Sequence, residues 1–186
     1  MERVVRTIST PTSADQASLE AFAREQGQRL LRCAFLLTGG NGAAAEDLVQ
    51  TVLMRLSARG IDDLDDPFSY ARRAMLNEQI SGARRASTLR RGLTRIGPPH
   101  DAVSGSSDDR LSILGALETL SARERAVIVL RYYEDLPDPE IAAVLGCSRV
   151  TVRSLAHRAN RKLRNELAST YERLTGQTEA EGDHDD

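Results

Sequence analysis

Two helix signals separated only by Gly146, Cys147 and Ser148 constrain this chain more than any other feature. Upstream, Asp138 is suited to cap a helix that Pro139 opens, because proline at a first helical position loses no needed N–H. Ile141, Ala142 and Leu145 then lay an apolar stripe along one face, and Gly146 supplies the left-handed residue that ends the helix. Ser148 caps the next helix almost at once. Ala142 lets the two helices approach, Gly146 makes the turn, and Val152 faces back into the elbow. From Arg149 to Arg164 there are six cations (Arg149, Arg153, Arg158, Arg161, Lys162, Arg164) and no acid. The spacing predicts a helix-turn-helix whose second helix suits a major groove, with its first turns at base edges and its later cations at phosphates.

The rest of the chain reads as helical too. Aromatic residues make up 4% of its 186 residues and tryptophan is absent, whereas 40% are hydrophobic, chiefly Ala, Leu and Val. Such a composition favours helices packed through aliphatic side chains. After a tail over residues 1–13, expected to be disordered, Leu19, Phe22, Ala23, Leu30, Leu31, Ala34 and Leu37 recur at helical steps. Gly27 is the one place where that helix would break. Thr38 to Gly42 form a turn. Ala44, Leu48, Val49, Val52, Leu53 and Leu56 mark a second amphipathic helix, and Asp66 with Pro67 starts a third, whose Phe68, Ala71, Ala74 and Met75 face a core.

Residues 92–109 combine Gly, Pro, Ser and Asp and read as a linker. Leu111, Leu114 and Leu117 begin the second half, and Ser121 with Glu124 forms a capping box ahead of Ala126, Val127, Leu130 and Tyr133. The last helix should end near Leu174, leaving residues 175–186 as an acidic disordered tail. The expected fold is all-α: two small helical domains, 14–91 and 110–174, joined by a flexible linker, the second carrying the helix-turn-helix.

Charge patterning narrows the function. The net charge of −2 conceals five acids and no Lys or Arg in the last eight residues, and seven arginines against the single acid Glu78 between Arg72 and Arg95. Two separate basic segments suit a long polyanion touched at more than one place. Cys33 and Cys147 fall in different halves and are expected as free thiols. The three histidines make no metal-ligand spacing, so neither a metal nor another cofactor is expected. No recognisable catalytic constellation argues for an enzyme. No apolar run reaches the ~20 residues that span a bilayer, and the N-terminus lacks a signal-peptide core, so a cytoplasmic protein without a membrane partner is expected.

The order of parts is informative. AAAEDLVQTVLMRL (Ala43 to Leu56), DPFSYARRAMLNEQISGARR (Asp66 to Arg85) and the run from Arg123 to Arg164 follow one another as in the bacterial sigma factors of the extracytoplasmic-function group, which this chain resembles over roughly residues 15–170. Details such as LRYYEDL look most like members from high-GC Gram-positive bacteria. The resemblance implies a promoter-specificity subunit that binds the clamp coiled coil of core RNA polymerase and recognises two promoter DNA elements. It implies a monomer when free, with an anti-sigma protein as a further candidate partner.

In that reading Asp47 and Gln50 face the polymerase. Tyr70, Arg72, Arg73, Asn77, Arg84 and Arg85 serve the −10 element, the arginines at phosphates and Tyr70 and Asn77 at a base taken out of the stack. Tyr70 is equally suited to core packing. Arg149, Thr151, Arg153, Ser154, His157, Arg158, Arg161 and Lys162 serve the −35 element. The chain departs from its relatives at Tyr70, where many have tryptophan, at Ser81, often aspartate, and at Leu155, often arginine. Leu155 is expected to extend the apolar face of its helix. The alternative function is a polymerase-independent helix-turn-helix regulator, which as a dimer would need an interface helix that the sequence does not clearly supply.

Overall fold

The computed structural model describes residues 13–92 and 108–181, with side chains over 15–85 and 113–172. Among these residues there are seven α-helices and no strand. The first region holds α1 (Ser13–Leu37), α2 (Gly42–Arg59) and α3 (Pro67–Gly92); the second holds α4 (Asp108–Glu118), α5 (Ala122–Tyr132), α6 (Asp138–Leu145) and α7 (Arg149–Glu181). The calls for residues 1–12, 93–107 and 182–186 lie outside the described residues.

Local chemistry explains most boundaries. Asn41 caps α2 by accepting from the Ala44 N–H at 2.9 Å, and Asp66 caps α3 by accepting from the Ser69 N–H at 2.9 Å. The capping box of α5 is present in both directions: the Glu124 N–H donates to Ser121 Oγ, and the Ser121 N–H donates to Glu124 Oε2 at 3.0 Å. Gly146 takes the left-handed conformation (φ 58°, ψ 44°), and Ser148 accepts from the Thr151 N–H at 3.1 Å to open α7.

Three boundaries differ from the sequence reading. The cap of α6 is Pro137, with no side-chain bond; Asp138 lies inside the first turn and spends its carboxylate on Arg131 and Arg153. Helix α1 runs unbroken through Gly27, where one half-buried glycine costs about 1 kcal/mol and the flanking turns outweigh it. Helix α7 continues to Glu181, past the expected end near Leu174, since no proline interrupts it.

A buried apolar cluster joins the two regions. Leu30, Cys33, Leu37, Val52, Leu56, Met75 and Leu76 of the first region and Val127, Leu130, Ile141 and Val152 of the second belong to one contiguous core. Helix α5 is the element that enters it, packing on both α1 and α3, while α6 also touches α3. A smaller cluster of Leu117, Leu120, Ile128 and Ala159 closes the second region between α4, α5 and α7.

Arg125 supports this junction without a carboxylate partner within hydrogen-bond reach. Its guanidinium donates to the carbonyls of Leu117 (2.8 Å), Leu120 (3.1 Å) and Glu118 (3.2 Å), and across the regions to that of Leu37 (3.1 Å). Burial lowers its pKa, the burial penalty being the larger effect and the nearby Glu118 charge opposing it. Gly39 (φ 75°) makes room, since a Cβ there would lie 2.9 Å from Arg125 Nη1. Arg125→Leu should therefore strand several buried carbonyls and lower unfolding free energy by about 3 kcal/mol in urea titrations, with Arg125→Lys recovering only part.

Candidate nucleic-acid interface

Helix α7 separates its residues cleanly between two faces. Val152, Leu155, Ala156 and Ala159 are buried against the rest of the second region. Arg149, Arg153, Ser154, His157, Arg158, Arg161 and Arg164 are exposed on the opposite side, and Lys162 is half-buried. Leu155 extends the apolar face, as its substitution for a cation led us to expect.

The exposed face is preset by two carboxylates behind it. Asp138 of α6 lies 3.5 Å from Arg153 Nε. Glu124 of α5 lies 3.4 Å from Arg158 Nε and 2.7 Å from Lys162 Nζ, while its own side chain is only 5% exposed. Burial alone would push the Glu124 pKa up. The hydrogen bond from Lys162, followed by those from the Ser121 N–H and hydroxyl, outweighs that and holds it down at about 2. One carboxylate thus caps α5 and aligns two cations of α7. Thr151 is committed locally, its hydroxyl 2.9 Å from that of Ser148.

Sequence reasoning missed Val150. It is 71% exposed in the first turn of α7, on the same outward strip as Arg153, Ser154 and His157. The available signal was an apolar residue in the basic run that fits no position of the buried Val152–Leu155–Ala159 stripe.

In the first region, Arg73, Asn77, Ser81 and Arg84 share one exposed strip of α3. Arg85 lies beside it and pairs with Glu78 at 2.7 Å, and Glu78 also pairs with Arg55 of α2. Tyr70 is half-buried, packed against the core with the Arg59 guanidinium 5.5 Å from its ring centroid. Arg72 does not join the strip. It is 9% exposed and donates to Glu134 of the second region at 3.3 Å. On α2, Asp47 and Gln50 are exposed opposite buried Ala45, Leu48, Val52 and Leu56, and Met54, 67% exposed, continues their ridge one turn on.

Comparison with known proteins places this geometry. The family described as Sigma-70, region 4 matches residues 116–165, the segment that contains α5, α6 and the first half of α7. The RNA polymerase sigma-E factor of Streptomyces coelicolor is 36% identical over 154 residues, covering 81% of this chain and 86% of that protein. The ECF RNA polymerase sigma factor SigL of Mycobacterium tuberculosis is 36% identical over 167 residues, covering 84% and 93%. The chain is an ECF sigma factor. Among solved structures, the sigma factor RpoE of Bartonella quintana, in complex with the anti-sigma factor NepR, matches with a TM-score of 0.61 at 26% identity, over 80% of this chain and 98% of that one. Within this sigma factor, region 4 is the part whose face Glu124 and Asp138 align.

No helix among the described residues is long and apolar enough to cross a membrane, and no group of His, Cys, Asp and Glu there could hold a metal ion. Because the folded-state pKa of Glu124 is depressed, its contribution is complete above about pH 4.5 and is lost as pH falls toward 2. Glu124→Gln should remove on the order of 2 kcal/mol at neutral pH, allowing for the solvent around Arg158 and Lys162, and flatten that acid limb in pH-dependent denaturation.

Proposed function

We propose that this sigma factor binds core RNA polymerase and directs transcription to promoters that carry suitable −10 and −35 elements. The observation that carries the reading is the exposed cationic face of α7, set behind a left-handed glycine turn and backed by a buried stripe. Residues 110–174 act as the −35 domain. Arg149, Arg153, Ser154 and His157 reach base edges, and Val150 contacts a thymine methyl, the one apolar feature a major groove offers. Thr151 secures the helix start, and Arg158, Arg161 and Lys162 meet phosphates.

Residues 14–91 act as the polymerase and −10 domain, joined to the other by residues 92–109. Asp47 and Gln50 present acceptor and amide groups to the clamp coiled coil, with Met54 beside them as an apolar contact. Arg73, Arg84 and Arg85 hold phosphates of the melted strand, Asn77 and Tyr70 engage an unstacked base, and Arg72 adds a phosphate contact once accessible. Melting is driven by binding to the opened strand, a population shift in which the chain itself makes or breaks no covalent bond. The site of action is the cytoplasm, where the polymerase works.

An anti-sigma protein is a further partner in this proposal. An apolar cleft of about 460 Å³, lined by Leu31, Phe35, Leu36, Ile113, Leu114 and Tyr133, offers such a protein both regions at once.

Co-purification with core RNA polymerase tests the first half of the reading: wild type should associate, and Asp47→Ala/Gln50→Ala should lose at least tenfold in affinity. An association that survives the double variant unchanged would move the contact elsewhere. For the second half, Arg153→Ala should cost about 1–3 kcal/mol on promoter DNA and far less on non-specific duplex. Replacing promoter thymines by deoxyuridine should weaken wild type severalfold and leave Val150→Ala unaffected. Loss on all DNA alike would reduce Arg153 to a phosphate contact.

A further inference from the structure

Glu134 follows the last turn of α5, its N–H donating to the Val129 carbonyl at 3.1 Å. A carboxylate is poorly placed there, because a helix C-terminus already carries partial negative charge. Its side chain is nevertheless fully buried, and both cations that neutralise it come from the other region. Arg29 of α1 donates to Glu134 Oε2 at 3.0 Å and Arg72 of α3 to the same oxygen at 3.3 Å. Phe68 lies beside both guanidinium groups, 4.1 Å from Arg29 and 5.8 Å from Arg72 measured to its ring centroid.

The cluster is incompletely satisfied. Glu134 Oε1 and Arg72 Nε are buried without a hydrogen-bond partner. A buried ion pair gains little over its separated, hydrated ions when polar atoms are left orphaned. Parting the regions would return Glu134 and Arg72 to water and satisfy those atoms. Meanwhile Arg72, which lies one residue from the exposed Arg73–Asn77–Arg84 strip, is unavailable to any phosphate.

We infer that Glu134 is an internal competitor for the promoter strand: it holds Arg72 in a closed arrangement of the two regions, and nucleic acid captures Arg72 when they part. The inference rests on Arg72 being a phosphate contact. A phosphate and a carboxylate present similar acceptors to a guanidinium, so one replaces the other on Arg72 without new chemistry. Closure then couples two events, because the strand cannot take Arg72 while α5 and α3 remain packed at this point.

The native cysteines report the state. Cys33 is 1% exposed in the shared core, and burial first, then the neighbouring Glu134 charge, pushes its thiol up to about 12, so it is protonated and shielded. Cys147, at the turn before α7, is half-buried and serves as the internal reference.

The decisive variant is Glu134→Gln in the full chain, which keeps shape and removes charge. Thiol modification of Cys33 relative to Cys147 should accelerate at least fivefold in Glu134→Gln and also in Arg72→Gln, where loss of a neighbouring cation by itself makes the thiol less reactive, with helicity unchanged by circular dichroism. Affinity for a labelled, mixed-sequence single-stranded oligonucleotide at low salt should rise about fivefold, and Arg72→Gln in the same background should abolish that gain. Wild-type labelling and wild-type affinity in Glu134→Gln would overturn the inference. So would a gain in affinity that persists without Arg72. If Arg73→Ala/Arg84→Ala in the wild-type background leaves oligonucleotide binding untouched, the promoter-contact reading of α3 fails instead, a result separable from failure of the competitor.

Discussion

The carbonyl of Leu37, at the end of α1, accepts from Gln79 of α3 at 3.1 Å and from Arg125 of α5 at 3.1 Å. A helix C-terminus must find partners for its last carbonyls, and here two other helices supply them. Arg125 is the more consequential donor, because its planar fork also serves the last turn of α4. Remove it and the end of α4 is left with buried acceptors, while that of α1 keeps Gln79 but loses its tie to α5. Keep it and α5 has one seat, between the two regions. The shared core, the burial of Glu134 and the placement of α6 against α3 all follow from where α5 sits.

From that seat, α5 organises the second region in both directions. Its N-terminal Glu124 aligns Arg158 and Lys162 on α7 while capping its own helix. Beyond its C-terminal end, Glu134 reaches into the first region and gathers Arg29 and Arg72. The two carboxylates differ in consequence. Glu124 is fully partnered and holds its charge well below the usual carboxylate range. Glu134 leaves one oxygen unpartnered. A satisfied network rigidifies, whereas an unsatisfied one is prepared to exchange partners.

For a sigma factor this division is useful. In the proposed function the exposed face of α7 must be preorganised, since base readout would depend on its first turns being held at a fixed angle. In the same proposal Arg72, beside the already exposed Arg73–Asn77–Arg84 strip, is to become accessible only when the two regions part. Rigid support behind α7 and a marginal ion cluster beneath α3 meet those demands with the same helix.

The all-α class, the helix-turn-helix, the caps at Ser121, Asp66 and Ser148 and the left-handed Gly146 were legible because each depends on residues within one or two turns of one another. So were the outward placement of Asp47 and Gln50 and the inward turn of Leu155, which follow from helical period alone. The start of α6 was misread because Asp138 had an alternative use: two arginines distant in sequence compete for a carboxylate that would otherwise cap. The fate of Arg72 was illegible for the same reason. Helical period sets Arg72 on the Phe68–Met75 side of α3 and Arg73 on the Asn77 side, but nothing near Arg72 in sequence names Glu134 as its partner. Local sequence determined which elements form and which faces they present. Only the tertiary structure decided which charges meet, because ion pairing depends on distances between helices that no single helix encodes.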